Sequence, residues 1–210
     1  MIGKLITFEG IDGSGKSTQI KLISEKLNEL GIENIIIREP GGTKVSEKIR
    51  DILLDNKNSI NKFTETLLFL SSRSQLVNEI IIPAINKGVY VLCDRYIDST
   101  VAYQGYGRGI DISKINSLND MAVNKIYPDL TFIFDIEVKT SLKRLESKHK
   151  DRMEQVDENF ILKVRKGYLD LAKNHDRCVV VDCNHKNINE INEILVNNFN
   201  SKFEEVLIWF

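Results

Sequence analysis

Proline, cysteine and histidine are scarce in this 210-residue chain, with three of each, and tryptophan occurs once. Three cysteines (Cys93, Cys178, Cys183) cannot all pair, and no C-x-x-C is present. Cys93 and Cys178 lie in or beside apolar runs, so reduced, packed thiols in a cytoplasmic protein are expected, and no zinc site. Neither sign of charge prevails. The formal net charge of −1 lacks the basic excess that non-specific nucleic-acid binding needs. No apolar run approaches the ~18 residues of a membrane span. Met1-Ile2-Gly3-Lys4 passes directly into an apolar run, so no signal peptide is expected. Repeats, low-complexity tracts and linkers are missing too, which points to one domain over residues 1–210.

What is present is a regular alternation. Lys4–Phe8, Asn34–Arg38, Val89–Cys93, Leu130–Ile136 and Cys178–Asp182 are short apolar runs. They are continuous rather than alternating, as strands covered on both faces are. Helix-length amphipathic segments separate them: Lys16–Leu30, Val45–Leu54, Phe63–Asn86, Ser113–Asn124, Lys139–Lys148, Asn159–Asn174 and Ile188–Phe199. This order predicts an α/β fold, a parallel sheet with helices on both faces. Ligands of such folds sit at the carboxyl ends of the strands, so the residues following each strand carry the functional argument.

After the first strand, Gly10-Ile11-Asp12-Gly13-Ser14-Gly15-Lys16-Ser17 fits G-x-x-x-x-G-K-[ST]. Glycines let the backbone curl its N–H groups inward around an anion, and the helix that follows adds its positive dipole end. Lys16 is placed to reach the β- and γ-phosphates of a nucleotide, and the Ser17 hydroxyl to ligate Mg²⁺. The second strand ends in Arg38-Glu39-Pro40-Gly41-Gly42-Thr43, where Arg38 either meets a phosphate or forms a loop salt bridge. Phe69 and Arg73 stand four apart on one helix face. They suit stacking and edge-bonding of a nucleobase, or else a core ring and a snorkelling surface arginine. The third strand runs into Asp94-Arg95-Tyr96 and on to Thr100, Tyr103 and Gln104. An apolar strand ending in Asp supports Mg²⁺ directly or through water; the alternative is a plain Asp94–Arg95 ion pair. Arg95 could bridge two phosphates there, and Tyr103 and Gln104 could edge a sugar and base or simply pack. Ser147–Glu154 is a charged run, read as a solvated loop or as a mobile lid over about 147–157.

Taken together, F-E-G-x-D-G-S-G-K-S, R-E-P-G-G-T, L-F-L-x-S-R-x-Q, D-R-Y-x-D-S-x-x-A-Y-Q-G and D-R-M-E resemble the thymidylate kinase family over Lys4 to about Phe199. The resemblance implies a three-layer P-loop NTPase fold with a five-stranded parallel sheet, and a homodimer. It implies transfer of the γ-phosphoryl group of ATP, with Mg²⁺, to dTMP. Carried onto this chain, it puts the ATP phosphates on Gly10–Ser17 and gives Asp12 the sugar and metal region. Phe69 and Arg73 would meet thymine, Arg95 and Arg38 the acceptor phosphate, Thr100 and Gln104 the base, and Tyr103 the deoxyribose. No basic residue lies among Ile11–Ser14, so the charge that some members carry there is sought in the lid, at Arg152, with Lys148 and Lys150 where a further arginine often stands. Lys16, Asp12, Arg95 and Arg152 form the expected catalytic set. The rival readings are a P-loop kinase for another nucleoside monophosphate or a nucleoside, a GTP-dependent switch and a non-catalytic nucleotide-binding protein. The switch would need N-K-x-D, which the chain lacks.

Overall fold

The computed structural model describes residues 3–146, 152–153 and 156–203. Five strands form one sheet: β1 (Leu5–Gly10), β2 (Asn34–Arg38), β3 (Tyr90–Asp94), β4 (Leu130–Asp135) and β5 (Cys178–Asp182). The order is β2-β3-β1-β4-β5 and every pairing is parallel. In register, Phe8 faces Asp94 and Gly10 faces Phe134, so β1, β3 and β4 end at nearly one level. The connection after β1 leads toward β2 while that after β3 crosses to β4, which opens a crevice at the strand ends between them.

Side-chain alternation along the central strands feeds two cores. Ile6, Phe8 and Leu92 join Ile20 and Ile23 of α1 (Lys16–Glu29) and Leu195 and Phe199 of α9 (Ile188–Phe203). Leu5, Val91 and Cys93 join Leu76, Val77 and Ile81 instead. Each such side chain, fully buried, contributes roughly 1.5–3 kcal/mol. The expectation that all five strands are covered on both faces holds for the three central ones only. Ile36 on edge strand β2 is 48% exposed and Val180 on edge strand β5 is 43% exposed.

The remaining helices are α2 (Lys44–Leu54), α3 (Lys62–Leu76), α4 (Ile82–Asn86), α5 (Ile97–Thr100), α6 (Ile112–Val123), α7 (Val138–Leu145) and α8 (Glu158–Asn174). Caps fix several starts: the side chains of Thr43, Asn61 and Asp157 accept from backbone N–H groups of Ser46, Phe63 and Thr64, and Phe160. The expected single helix over 63–86 is broken by a π-helical turn at Val77–Ile81. Pro83 lies just beyond it; it has no N–H for an i→i−4 bond, so the ladder changes pitch ahead of it. A second π-helical segment, Val101–Gly107, continues α5 and was not expected as helix. Among the described residues no helix is long and apolar enough to cross a membrane.

Candidate active site

Gly15, the N-cap of helix α1, has φ 99° and supplies no side-chain cap, so the helix's first N–H groups remain for an anion. Gly10, at φ 133°, leaves β1 so close to β4 that a Cβ there would stand 2.5 Å from the Phe134 carbonyl oxygen. Between them the loop is tied to α7: Ser141 Oγ donates to the Asp12 carbonyl at 2.7 Å and Arg144 Nη1 to the Gly13 carbonyl at 2.9 Å. Lys16 Nζ donates to the carbonyls of Gly10 (3.1 Å) and Ile11 (3.0 Å). Burial, with help from the Arg95 charge, brings the Lys16 amine down to about 8. Ser14 Oγ is buried within the loop without a protein partner, as suits a cradle for phosphate oxygens.

Ser17 Oγ donates to Asp94 Oδ2 at 3.1 Å. A hydroxyl and a carboxylate side by side beside a phosphate cradle match the donor set of Mg²⁺, which takes one or two protein oxygens plus phosphate and water. Among the described residues no group of three or more His, Cys, Asp or Glu could hold a metal ion, and a Mg²⁺ shared with phosphates needs none. The Asp94–Arg95 ion pair offered as an alternative does not form; Arg95 pairs elsewhere.

Arg95 holds the left-handed φ of 73°, rare for a side chain of its size. Its guanidinium reaches Asp12 Oδ1 (2.8 Å), Tyr168 Oη (2.9 Å), Ser99 Oγ (3.2 Å) and Tyr103 Oη (3.3 Å). Burial would lift the Asp12 carboxyl, but the charges of Arg95 and Lys16 outweigh it and hold Asp12 at about 2. Beneath Arg95 lies Glu9, fully buried on β1, accepting from Tyr96 N (2.7 Å) and Ser99 Oγ (2.6 Å). Burial, then the nearby Asp98 charge, raise its carboxyl to about 7. Glu9 thus pins the chain that follows Arg95, at Tyr96 and Ser99.

A cleft of about 620 Å³ runs across these groups. Asp12 to Ser17, Arg38, Phe69, Arg73, Asp94, Arg95, Thr100, Tyr103 and Gln104 all line it. Gly10 and Ile11 sit at its root, the Ile11 side chain turned into the core. Arg38 is half exposed and pairs with Glu47 at 2.9 Å, so the loop salt bridge forms while the side chain still borders the cleft.

Arg73 is neither a surface residue nor a free donor. Its side chain is 2% exposed, and its N–H groups go to Glu39 Oε2 (2.7 Å), Thr100 Oγ1 (2.8 Å), Asn119 Oδ1 (2.7 Å) and the Tyr96 carbonyl (2.8 Å). Glu39 keeps Arg73 charged, lifting it above its usual range despite the burial. The other oxygen of Glu39, Oε1, is buried with no partner.

Arg152 borders no part of the cleft among the described residues. It donates to the Leu53 carbonyl (2.6 Å) and to Glu65 Oε2 (2.7 Å), while its neighbour Met153 lines the cleft wall. Lys148 and Lys150, and most of the expected lid, lie outside the described residues.

Several contributors escaped the sequence reading. Arg144, Arg50, Lys186 and the buried Glu39 line the cleft; Glu9 and Glu65 stand behind it with 0% and 1% exposure. A carboxylate inside the apolar run Leu5–Gly10 was the one legible signal among these. As a whole, the site can hold a triphosphate at the loop, a divalent ion at Ser17 and Asp94, and a second anion at Arg95, with a planar apolar group against Phe69.

The family model described as thymidylate kinase matches residues 8–194. The chain is similar to a thymidylate kinase of Caldanaerobacter subterraneus subsp. tengcongensis, 49% identical over 183 residues, 87% of this chain and 88% of that protein. It is similar also to that of Kosmotoga olearia, 46% identical over 196 residues, 92% and 94% of the two chains. Among solved structures, the crystal structure of thymidylate kinase from Ehrlichia chaffeensis superposes with a TM-score of 0.78 at 37% identity, covering 95% of this chain and 99% of that one.

Proposed function

Because the chain belongs to the thymidylate kinase family and phosphorylates dTMP, we propose how its cleft divides the work between donor and acceptor. The loop Gly10–Ser17 takes the ATP phosphates, with Lys16 leaving the Gly10 and Ile11 carbonyls for the β- and γ-oxygens. Mg²⁺, held by Ser17 and by Asp94 directly or through water, would neutralise phosphate charge. Arg95 takes the acceptor phosphate, its guanidinium already aimed by Asp12, Ser99 and Tyr168. Arg38 adds charge from the rim. Phe69 stacks the base, Thr100 and Gln104 edge it, and Arg73 backs it. Tyr103 stands where a ribose 2′-hydroxyl would crowd the ring.

The chemistry needs no general base. The acceptor phosphate has a second pKa near ~6, so it is a competent nucleophile at neutral pH. The barrier is the repulsion of two anions and the charge spread over the transferring group, and fixed cations in a dry cleft lower it. An arginine so placed is worth about 10³–10⁵ in rate in related phosphoryl transfers. The observation that carries this reading is the Asp12–Arg95–Tyr103 cluster, which stands between the phosphate loop and the base-sized pocket.

Residues 147–157 are proposed as the lid of a single domain spanning 1–210, with Arg152 exchanging Glu65 for the transferring phosphate as it closes. The half-exposed Val45 and Ile52 of α2 and Phe63 and Leu67 of α3 form an apolar surface suited to a homodimer. The three unbridged cysteines fit a cytoplasmic protein. A coupled ADP-release assay with dTMP, dUMP, dCMP and AMP tests the assignment. Turnover is expected with dTMP foremost; equal turnover with AMP would overturn the proposed base pocket.

A further inference from the structure

Glu65 sits on α3 one turn before Phe69, is 1% exposed and does not itself line the cleft. Four donors converge on it. Oε1 accepts from Gln104 Nε2 (3.1 Å) and Arg108 Nε (3.1 Å); Oε2 accepts from Arg108 Nη2 (3.3 Å) and Arg152 Nη1 (2.7 Å). A carboxylate between two guanidinium groups is an acceptor only. Turning the Gln104 amide end for end would set its carbonyl oxygen against that carboxylate in a buried place, an oxygen–oxygen repulsion without a hydrogen to relieve it. One N–H of the amide is therefore committed to Glu65, which fixes the orientation of the carboxamide, and the carbonyl oxygen of Gln104, a cleft-lining residue, is turned away from Glu65 and left as an acceptor for a ligand.

We propose that Glu65 is a positioning residue for base selection, fixing the Gln104 carboxamide so that an acceptor faces the pyrimidine. Thymine and uracil carry a hydrogen on ring N3 and satisfy that acceptor. Cytosine has a lone pair at N3, so two acceptors would meet and one would stay unpaired, which is costly when buried. Glu65 thereby separates thymine and uracil from cytosine, and does not separate thymine from uracil. The inference rests on the proposed contact between Gln104 and the base.

The test is kcat/KM for dTMP and for dCMP in the parent, Glu65→Gln, Gln104→Ala and the swap E65Q/Q104E, with a thermal melt of each. In E65Q the new amide keeps its oxygen in the place of Oε2, under Arg152 Nη1 and Arg108 Nη2, its NH₂ takes the place of Oε1 facing Gln104, and Gln104 turns. The dTMP-over-dCMP ratio is expected to fall by about tenfold or more, chiefly through KM for dTMP. The swap again sets an amide donor against a carboxylate and again leaves an oxygen toward the base, so the ratio should return to within about threefold of the parent. A folded E65Q that keeps the parental ratio, while Q104A loses it, overturns the role of Glu65 and leaves the base contact standing. If Q104A also keeps the ratio, the contact itself is wrong and the inference goes with it. Should E65Q fail to fold, the swap decides: a restored ratio supports the inference, and a lost one in a folded swap overturns it.

Discussion

Replacing Arg73 by alanine should damage the fold before it reports on catalysis. The guanidinium is 2% exposed and Glu39, its partner at 2.6 Å, is 4% exposed at the side chain. Removing one member of such a pair leaves the other charge buried and uncompensated, a loss of about 3–5 kcal/mol. Here Thr100, Asn119 and the Tyr96 carbonyl lose a donor as well. For a chain of this size each kcal/mol moves Tm by roughly 2–4 °C, so Arg73→Ala should melt about 6–20 °C below the parent. The assay is thermal unfolding by circular dichroism, without nucleotide and at matched concentration, since ligands shift Tm by mass action. Arg38→Ala is the internal control: its pair with Glu47 is 51% and 40% exposed, and such surface pairs are worth only about 0–1 kcal/mol. Adding Glu39→Gln to Arg73→Ala should recover part of the loss, because a neutral amide needs no cation. An Arg73→Ala protein melting within about 2 °C of the parent would refute the reasoning.

Two other perturbations probe the donor side. Lys16 sits at about 8 in the fold against an ordinary 10.5, so the unfolded chain binds more protons between those values and stability should rise with pH across that window. A bound triphosphate restores the proton; calorimetric titration of ATP at about pH 8.5 in buffers of different ionisation enthalpy should therefore give observed heats that vary with the buffer as proton uptake requires, and identical observed heats in every buffer would refute it. Ser17→Ala removes the hydroxyl beside Asp94, and the Mg²⁺ concentration for half-maximal rate should rise by at least about tenfold, an unchanged midpoint counting against Ser17 as a ligand.

How much of this was legible in the residues depended on range in sequence. All five strands were found because each is a continuous apolar run of its own, and the phosphate loop because its residues are consecutive. Val101–Gly107 was missed because Gly105 and Gly107 are poor helix formers and nothing local signals a π turn. Phe69, Arg73, Thr100, Tyr103 and Gln104 could be named as cleft residues from the family pattern, but not with their partners. Glu39 is 34 residues from Arg73, and Glu65 is 39 from Gln104 and 87 from Arg152. Only the fold brings such groups together, so the buried carboxylates that aim the cations were invisible while the cations were not. Arg144 was overlooked for a similar reason. It reads as an ordinary last-turn helix cation until α7 is laid against the loop.

That last placement has a mechanical side. Through Ser141 and Arg144, the helix leading into residues 147–157 is bolted to the carbonyls of two residues of the nucleotide-gripping turn. The rod and the turn therefore share one frame: a tilt of α7 would have to carry Asp12 and Gly13 along or break these two short struts.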